Sequence, residues 1–230
     1  MRWNSFDGQP LLALSLVSRY YYSQGYKASS IEGLLENYII KCDPYANLVK
    51  LQCTIEKQAR KAGKRKMIEI SGISITDSEL EWISKLDTKS KRKVAFSTLC
   101  LAKYYNLVNP QNNGWVNKSI KDIFSLSNVN LNKVSQDGLL SGLVDSGFLV
   151  ASKIIGNLNF RVIHICDGAT VMTITDFRNV GNQYLKYCGE KYIECANCGL
   201  TIKPTNNSQK YCGNCAKEIK ALQDGGYKKA

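Results

Sequence analysis

The sequence predicts a mainly α-helical protein with a small β component, which is the α+β class. Three observations lead to this prediction. Apolar residues recur at helical spacing through residues 11–62. Two short β-rich runs follow a pair of helical segments in the second half of the chain. Two Cys-x-x-Cys pairs near the end predict a small metal-stabilised fold.

The bulk composition limits the class of protein. The 230 residues carry 31 basic and 19 acidic side chains, a formal net charge of +12. This charge favours polyanionic partners, although it also fits a plain soluble surface. No apolar run of about 18 residues occurs, so no membrane span is expected. Nine cysteines, an odd number, and a start without a signal-peptide pattern favour a reducing, cytoplasmic setting.

Residues 1–62 are predicted to form an N-terminal helical unit. Asp43-Pro44 breaks the helical pattern, and Leu48, Leu51, Ile55 and Ala59 lie at the spacing of one helix face. No catalytic motif is found in this unit. The expected helices are Leu11–Tyr22, Ile31–Ile40 with Ser29 or Ser30 as its N-cap, and a third from Pro44 or Tyr45 to Ala62.

Residues 63–90 are predicted to be a basic linker followed by a capped helix. Lys64, Arg65 and Lys66 end a run without acidic residues and are candidates for phosphate contacts. A second basic cluster runs from Lys85 to Lys93. Thr76 and Glu79 have the spacing of a capping box, so a helix is expected from there to about Leu86.

Residues 91–188 have the element order of a winged helix-turn-helix. A long buried helix (Lys91–Tyr105) precedes a short extended piece, a short helix and a longer helix that Gly147 ends. Two β-rich runs then form the expected wing. The expected elements are Trp115-Val116, Ser119–Phe124, Leu131–Ser146 with Asn130 as its N-cap and Val134, Leu139, Leu140, Leu143 and Val144 inward, Phe148–Ile155, and Phe160–Cys166.

The longer helix and the wing supply the candidate nucleic-acid contacts. Asn132, Lys133 and Gln136 are expected to face a major groove, since amides pair with adenine and lysine reaches guanine or phosphate. In the wing, Lys153, Asn157 and Arg161 are expected to reach phosphate or the minor groove. Two aspartates on the helix weaken this interpretation, because many winged helices bind proteins or only support a core. Residues 171–187 are expected to add a strand or seal the wing, and then to start a short helix.

Residues 189–230 are predicted to be a zinc finger of the ribbon or treble-clef-like kind. Cys195 and Cys198 form one pair, and Cys212 and Cys215 form the other. Four thiolates suit one structural Zn²⁺ and leave no open position for water or substrate. Two disulfides or four unrelated thiols are the alternatives. Cys188 is a spare ligand or a packing residue, and a short helix is expected over residues 216–223.

The sequence predicts that the protein is not an enzyme. The single histidine, His164, lies in a β-rich run, where it is more often a packing residue than a base. No Ser-His-Asp pattern, phosphate-binding glycine loop or paired acids at helical spacing occur. The expected zinc site also lacks the His and Glu pairing of zinc deaminases.

Several segments between residues 67 and 220 resemble a family of uncharacterised proteins from phages and mobile elements of Gram-positive bacteria. They are Lys93–Tyr104, Asn113–Asn117, Asp176–Asn179, Tyr192–Cys195 and Lys210–Cys212. The resemblance implies a cytoplasmic, phage-related setting and supports the zinc ligands, but it supplies no catalytic residues.

We therefore hypothesise a DNA-binding transcriptional regulator or replication-associated factor. The alternatives are a protein-interaction module that inhibits or recruits a host factor, and an RNA-binding protein. The sequence is also compatible with a homodimer.

Overall fold

The computed structural model describes residues 10–64, 67–152 and 159–226. The chain divides into two compact units, residues 1–69 and residues 70–230. The predicted class is confirmed, because helices dominate and the strands form small open sheets. Among the described residues, no helix has both the length and the apolar character needed to cross a membrane.

The first unit is a three-helix arrangement of α1 (Pro10–Ser23), α2 (Ala28–Cys42) and α3 (Leu48–Lys61), and a 3₁₀ turn (Ala62–Lys64) follows α3. Its core consists of Leu14, Ile31, Leu35, Ile39, Ile55, Ala59 and Ala62. The inward face predicted for α3 is confirmed, with Ile55 and Ala59 buried.

Of the three helix starts predicted for this unit, the second and third are wrong. Helix α2 begins before the serines, because the amides of Ser30 and Ile31 already donate to the carbonyl of Lys27. The N-cap Lys27 makes no side-chain bond. Helix α3 begins later than Tyr45, because the side chain of Asn47 accepts from the amide of Lys50 and fixes the first turn there.

The second unit begins with β1 (Ile73–Thr76), α4 (Asp77–Ser84) and the long helix α5 (Lys89–Val108). The capping box is confirmed: the Thr76 hydroxyl accepts from the amide of Glu79, and the Glu79 carboxylate accepts from the amide of Thr76. The Glu79 side chain is completely buried and forms a 2.8 Å ion pair with Lys103 of α5. Residues 93–102 of α5 are all buried, so this helix forms the centre of the unit.

A small antiparallel sheet and two further helices follow α5. In chain order β2 (Trp115–Val116), α6 (Ile120–Ser127), α7 (Lys133–Asp145), β3 (Leu149–Ala151) and β4 (Phe160–Val162) follow α5. The sheet order is β2-β4-β3, so the first and last of these strands lie side by side. Gly147 has a φ of 75° and ends α7 as predicted.

Helix α7 differs from its prediction at both the cap and one face. It begins at Lys133, because Asn132 caps it by accepting from the amide of Ser135, while Leu131 packs against the core in an extended segment. Leu139, Leu140 and Leu143 are buried as predicted. Val134 was expected to point inward but is 82% exposed, because it lies in the first turn, before the helix reaches the core.

The strands of the expected wing are shorter than predicted. Residues 163–166 leave the sheet after β4, and the backbone of Cys166 bonds to the cap of α4 instead. Its amide donates to Glu79 Oε1 at 3.2 Å, and its carbonyl accepts from the Thr76 hydroxyl at 3.4 Å. Strand β3 ends at Ala151.

The remainder of the chain consists of β5 (Thr170–Ile174), α8 (Val180–Tyr187), β6 (Ile193–Glu194), β7 (Thr201–Ile202) and α9 (Gly213–Gly226). The strand expected in residues 171–187 is present as β5, but it pairs with β1 and not with the sheet of the expected wing. Strands β6 and β7 pair with each other, and α9 starts three residues earlier than predicted.

Candidate metal centre and nucleic-acid interface

The four cysteines predicted as metal ligands come together in one cluster. The sulfur atoms of Cys195, Cys198, Cys212 and Cys215 all lie within 4.8 Å of one another. The Sγ atoms of Cys198 and Cys212 are 3.8 Å apart. A tetrahedral ion with bonds of about 2.3 Å to sulfur separates its ligands by about 3.8 Å. The cluster therefore lies close enough together to hold a metal ion.

Two tight turns present these sulfurs. Between β6 and β7, Cys195 and Leu200 are joined by an amide-to-carbonyl bond of 2.9 Å, and Gly199 takes a φ of 72° that favours glycine. The second pair lies at the start of α9, with Cys215 inside its first turn. This placement explains why α9 begins before the predicted residue 216.

Hydrogen bonds around the cluster favour thiolates. The amide of Cys212 donates to Cys195 Sγ at 3.2 Å, and the Asn197 side chain donates to Cys215 Sγ at 3.4 Å. The amide of Cys212 is the main cause that lowers the pKa of Cys195 to about 6. The sequence interpretation missed Asn197, although its position inside the first Cys-x-x-Cys pair was the available signal.

The surroundings of Cys215 oppose its ionisation. The Asn197 amide lowers the pKa of Cys215, but the neighbouring thiols and burial outweigh it and raise that pKa to about 12. Four thiolates at these distances repel one another, and a divalent ion would compensate their charge. Of the alternatives, disulfides are not formed in this structure, and Cys188 is exposed outside the cluster.

Residues 189–226 are called the metal module below. Helix α8 and the residues before it hold this module against the rest of the second unit. Arg178 donates to the carbonyl of Cys198 at 2.7 Å while its guanidinium is held by Asp176. The buried Asn182 donates to the carbonyl of Thr201 at 3.1 Å and accepts from the side chain of Asn128 at 3.3 Å. Asn182 therefore connects the module to the turn between α6 and α7.

The three residues predicted to read bases have different roles in the local structure. Asn132 is the N-cap of α7, and Gln136 donates to the carbonyl of Leu131 at 2.8 Å, so both side chains are used inside the turn. Lys133 is exposed at the first position of α7. The exposed Val134 beside it was missed, because its apolar character predicted burial.

A groove lies between α6 and the start of α7. It has a volume of about 480 Å³ and a largely polar lining. Lys121 and Asn130 are both exposed members of its lining. The lining residues are Lys121, Phe124, Ser125, Asn128, Val129, Asn130, Gln136 and Asn179.

Of the three residues predicted in the wing, only Arg161 is described. It lies on β4 opposite Trp115, and its Nε donates to the carbonyl of Asn113 at 2.8 Å. The arginine therefore tethers the loop before β2. Lys153 and Asn157 lie outside the described residues.

The two predicted basic segments lie in different units of the chain. Lys64 is exposed in the first unit, and Arg65 and Lys66 lie outside the described residues. In the second cluster every basic side chain bonds to the protein. The partners are Glu81 for Lys85, Glu190 for Lys89, Asp87 for Lys91, the carbonyl of Leu86 for Arg92, and the carbonyl of Asn128 for Lys93.

Comparisons with known proteins found no match to this chain. No protein-family model, no curated protein and no solved structure matches this chain. The comparisons show no link to phage-related proteins, and of the features in that resemblance only the four-cysteine cluster is shown.

Proposed function

We propose that the second unit is a winged-helix DNA-binding domain stabilised by one structural Zn²⁺. The observation that carries this proposal is the order α5-β2-α6-α7-β3-β4 combined with the sheet order β2-β4-β3. In a winged helix this arrangement places the second helix of the pair, here α7, for insertion into a major groove.

The exposed start of α7 is suited to reading bases. Lys133 and Val134 project from its first turn, and Asp137 and Ser141 continue the exposed face one and two turns later. Gly138 on the same helix has nothing within 4 Å of where a Cβ would be, so a groove wall has room to approach it. Lysine contacts guanine or phosphate, and an exposed valine packs against the methyl group of thymine.

The phosphate contacts have to come from the flanks of α7. Helix α7 carries one lysine and two aspartates, so its own charge does not attract DNA. Exposed Lys121 of α6 lines the groove beside α7. We assign Lys121 as a phosphate contact on this flank, and Lys133 at the start of α7 as a contact to guanine or phosphate, since helix-turn-helix proteins bind the backbone beside the inserted helix.

Zinc is the metal that the donor set favours. Four thiolates in a closed tetrahedral arrangement are typical of structural Zn²⁺. In this role Cys195, Cys198, Cys212 and Cys215 hold the ion, which would tie β6, β7 and α9 together. The proposed role is non-enzymatic, and the setting in a phage or mobile element rests on the sequence resemblance alone.

Selection from a random duplex DNA library tests the proposal, followed by anisotropy titrations of the enriched sequence. Affinity is expected to fall with salt, with a slope of about −0.9 per neutralised phosphate. Val134→Ala is expected to reduce discrimination at one thymine position by roughly fivefold, about 1 kcal/mol. Binding that is absent, or that does not respond to salt, would remove DNA binding from consideration. Tighter binding to an RNA library would redirect the proposal to RNA.

A matched control separates base reading from general effects. Val49 is 88% exposed at the second position of α3, as Val134 is at the second position of α7. Val49→Ala is expected to leave both affinity and discrimination unchanged. Equal effects of the two substitutions would contradict a specific role for α7.

A second candidate function is protein interaction through α1. Leu12 and Leu16 lie four residues apart, and together with Leu11 they expose between 39% and 57% of their surface. Exposed leucines at this spacing are typical of a helix that docks on another protein. A nuclease-resistant, stoichiometric partner that is lost in the Leu12→Glu, Leu16→Glu double variant would favour this function over DNA binding.

A further inference from the structure

The first unit contains a cavity with a strongly basic lining. It lies between α1 and the end of α3 and has a volume of about 420 Å³. This size is within the range of small-molecule sites. The cavity is lined by Ser15, Ser18, Arg19, Gln58, Lys61 and Lys64.

Helical spacing brings these residues together. Ser15, Ser18 and Arg19 lie on one face of α1, because they are three and four residues apart. Gln58 and Lys61 occupy one face of α3 in the same way. Lys64 reaches the cavity through the 3₁₀ turn.

Gly63 permits a close approach of this turn to α1. A Cβ on Gly63 would lie 2.6 Å from the ring of Tyr22, so a larger residue would require the Tyr22 side chain to move.

The lining carries positive charge without a matching negative charge. It contains three cations and no carboxylate. Among the described residues, Arg19, Lys61 and Lys64 form no ion pair, whereas neighbouring Arg60 is paired with Glu56 at 3.2 Å. Arg19 donates to the hydroxyl of Ser15 at 3.1 Å, which orients its guanidinium and leaves further N–H groups for a ligand. Unpaired cations that converge on one cavity are a site for an oxyanion.

We propose that this cavity binds a phosphoryl group. Three convergent cations match the tetrahedral charge of phosphate, with Arg19 supplying a planar fork of donors and the lysines supplying point charges. The cavity is larger than a lone phosphate, so it has room for a ligand that carries the phosphoryl group. Its source is either a small phosphorylated molecule or a nucleic-acid backbone. The proposal stands independently of base reading by α7.

Titration of the full-length, ¹⁵N-labelled protein with inorganic phosphate and with adenosine monophosphate tests this site. Saturable shifts are expected for the side-chain amide of Gln58 and the backbone amides of Ser15 and Arg19. Sodium chloride at matched ionic strength is expected to leave these signals unchanged. Loss of each cation is expected to weaken binding roughly tenfold. The variants are Lys61→Gln, Lys64→Gln and Arg19→Gln.

Lys50→Gln is the matched control, because Lys50 is exposed on the same helix about 16 Å along the axis from Lys61. It is expected to change phosphate affinity less than twofold. Equal weakening by Lys50→Gln and Lys61→Gln, or shifts that avoid the cavity residues, would overturn the proposal. Lys64→Gln keeps the test valid if Arg19→Gln prevents folding, since Lys64 is exposed.

A competition arm distinguishes the two sources. If the ligand is a nucleic-acid backbone, duplex DNA displaces adenosine monophosphate from the wild-type cavity, and Lys61→Gln lowers the salt slope of DNA binding by about one phosphate. If the ligand is a small molecule, adenosine monophosphate binds as tightly with saturating DNA present. Failure of DNA binding at α7 would leave the phosphate titration unaffected, so the two proposals fail separately.

Discussion

The contact between α8 and the end of α6 allows a prediction with a defined sign. A Cβ on Gly181 would lie 2.4 Å from the carbonyl oxygen of Ser127 and 2.9 Å from Lys93. Ordinary contacts at these positions begin near 3.4 Å, so α8 would have to move by about 1 Å. Overpacking of this kind costs about 1–3 kcal/mol. We therefore expect Gly181→Ala to destabilise the second unit by about 2 kcal/mol and to lower its Tm by roughly 4–8 °C.

Gly138 offers the opposite outcome from the same substitution. It also lies in a helix, but nothing is within 4 Å of its Cβ position. Gly138→Ala is expected to stabilise the protein by about 0.5–1 kcal/mol, because alanine restricts the unfolded chain and favours the helix. Urea denaturation followed by circular dichroism measures both variants. An unchanged or higher midpoint for Gly181→Ala would refute the close packing of α8 on α6.

Three further predictions concern the buried charges and the metal centre. Cys212→Ser is expected to abolish the single bound metal ion per chain, measured by elemental analysis, because three thiolates leave the tetrahedral site incomplete. Glu79→Gln is expected to lower the free energy of unfolding by about 3 kcal/mol in urea melts, because it leaves Lys103 without its buried partner. Burial lowers the pKa of Lys93 to about 8. Folding then releases a proton between pH 8 and about 10.5, so stability rises with pH in this window by up to about 1.4 kcal/mol per pH unit, and Lys93→Met removes that rise.

The predictions for Cys212 and Glu79 each have a control variant. Cys188→Ser should retain the metal, because Cys188 is exposed outside the cluster. Glu81→Gln should cost less than about 0.5 kcal/mol, because Glu81 forms only an exposed pair with Lys85. A metal-loaded Cys212→Ser protein, equal costs at the two glutamates, or an identical pH dependence in Lys93→Met would contradict the respective argument.

Local signals in the sequence predicted the local structure well. The capping box of Thr76 and Glu79, the apolar run in α5 and the glycine that ends α7 are each determined by residues within one or two helical turns. The four cysteines were also predictable, because their spacing alone specifies two ligand-presenting turns.

Local signals of this kind do not predict which distant strands pair with each other. Strand β1 pairs with β5 about 100 residues later in the chain, and residue patterns do not specify which strand another will choose. Two of the five basic residues between Lys85 and Lys93 bond to distant elements, which a local pattern does not reveal: Lys89 pairs with Glu190, and Lys93 donates to the carbonyl of Asn128. Val134 was predicted to be buried, but it lies in the first turn of α7. That turn projects beyond the core that the later turns of the helix contact.

The hydrogen bonds of Asn182 determine whether another zinc finger could replace the metal module. Only 1% of this residue is exposed, and its amide group bonds to Thr201 in the module and to Asn128 in the helix pair. A replacement module that covered Asn182 without offering a carbonyl at the position of Thr201 would leave the Asn182 amide with a buried, unpaired donor, and Arg178 would lose its bond to the carbonyl of Cys198. The last 40 or so residues therefore cannot be exchanged for another finger unless the replacement supplies two backbone carbonyls at these same positions.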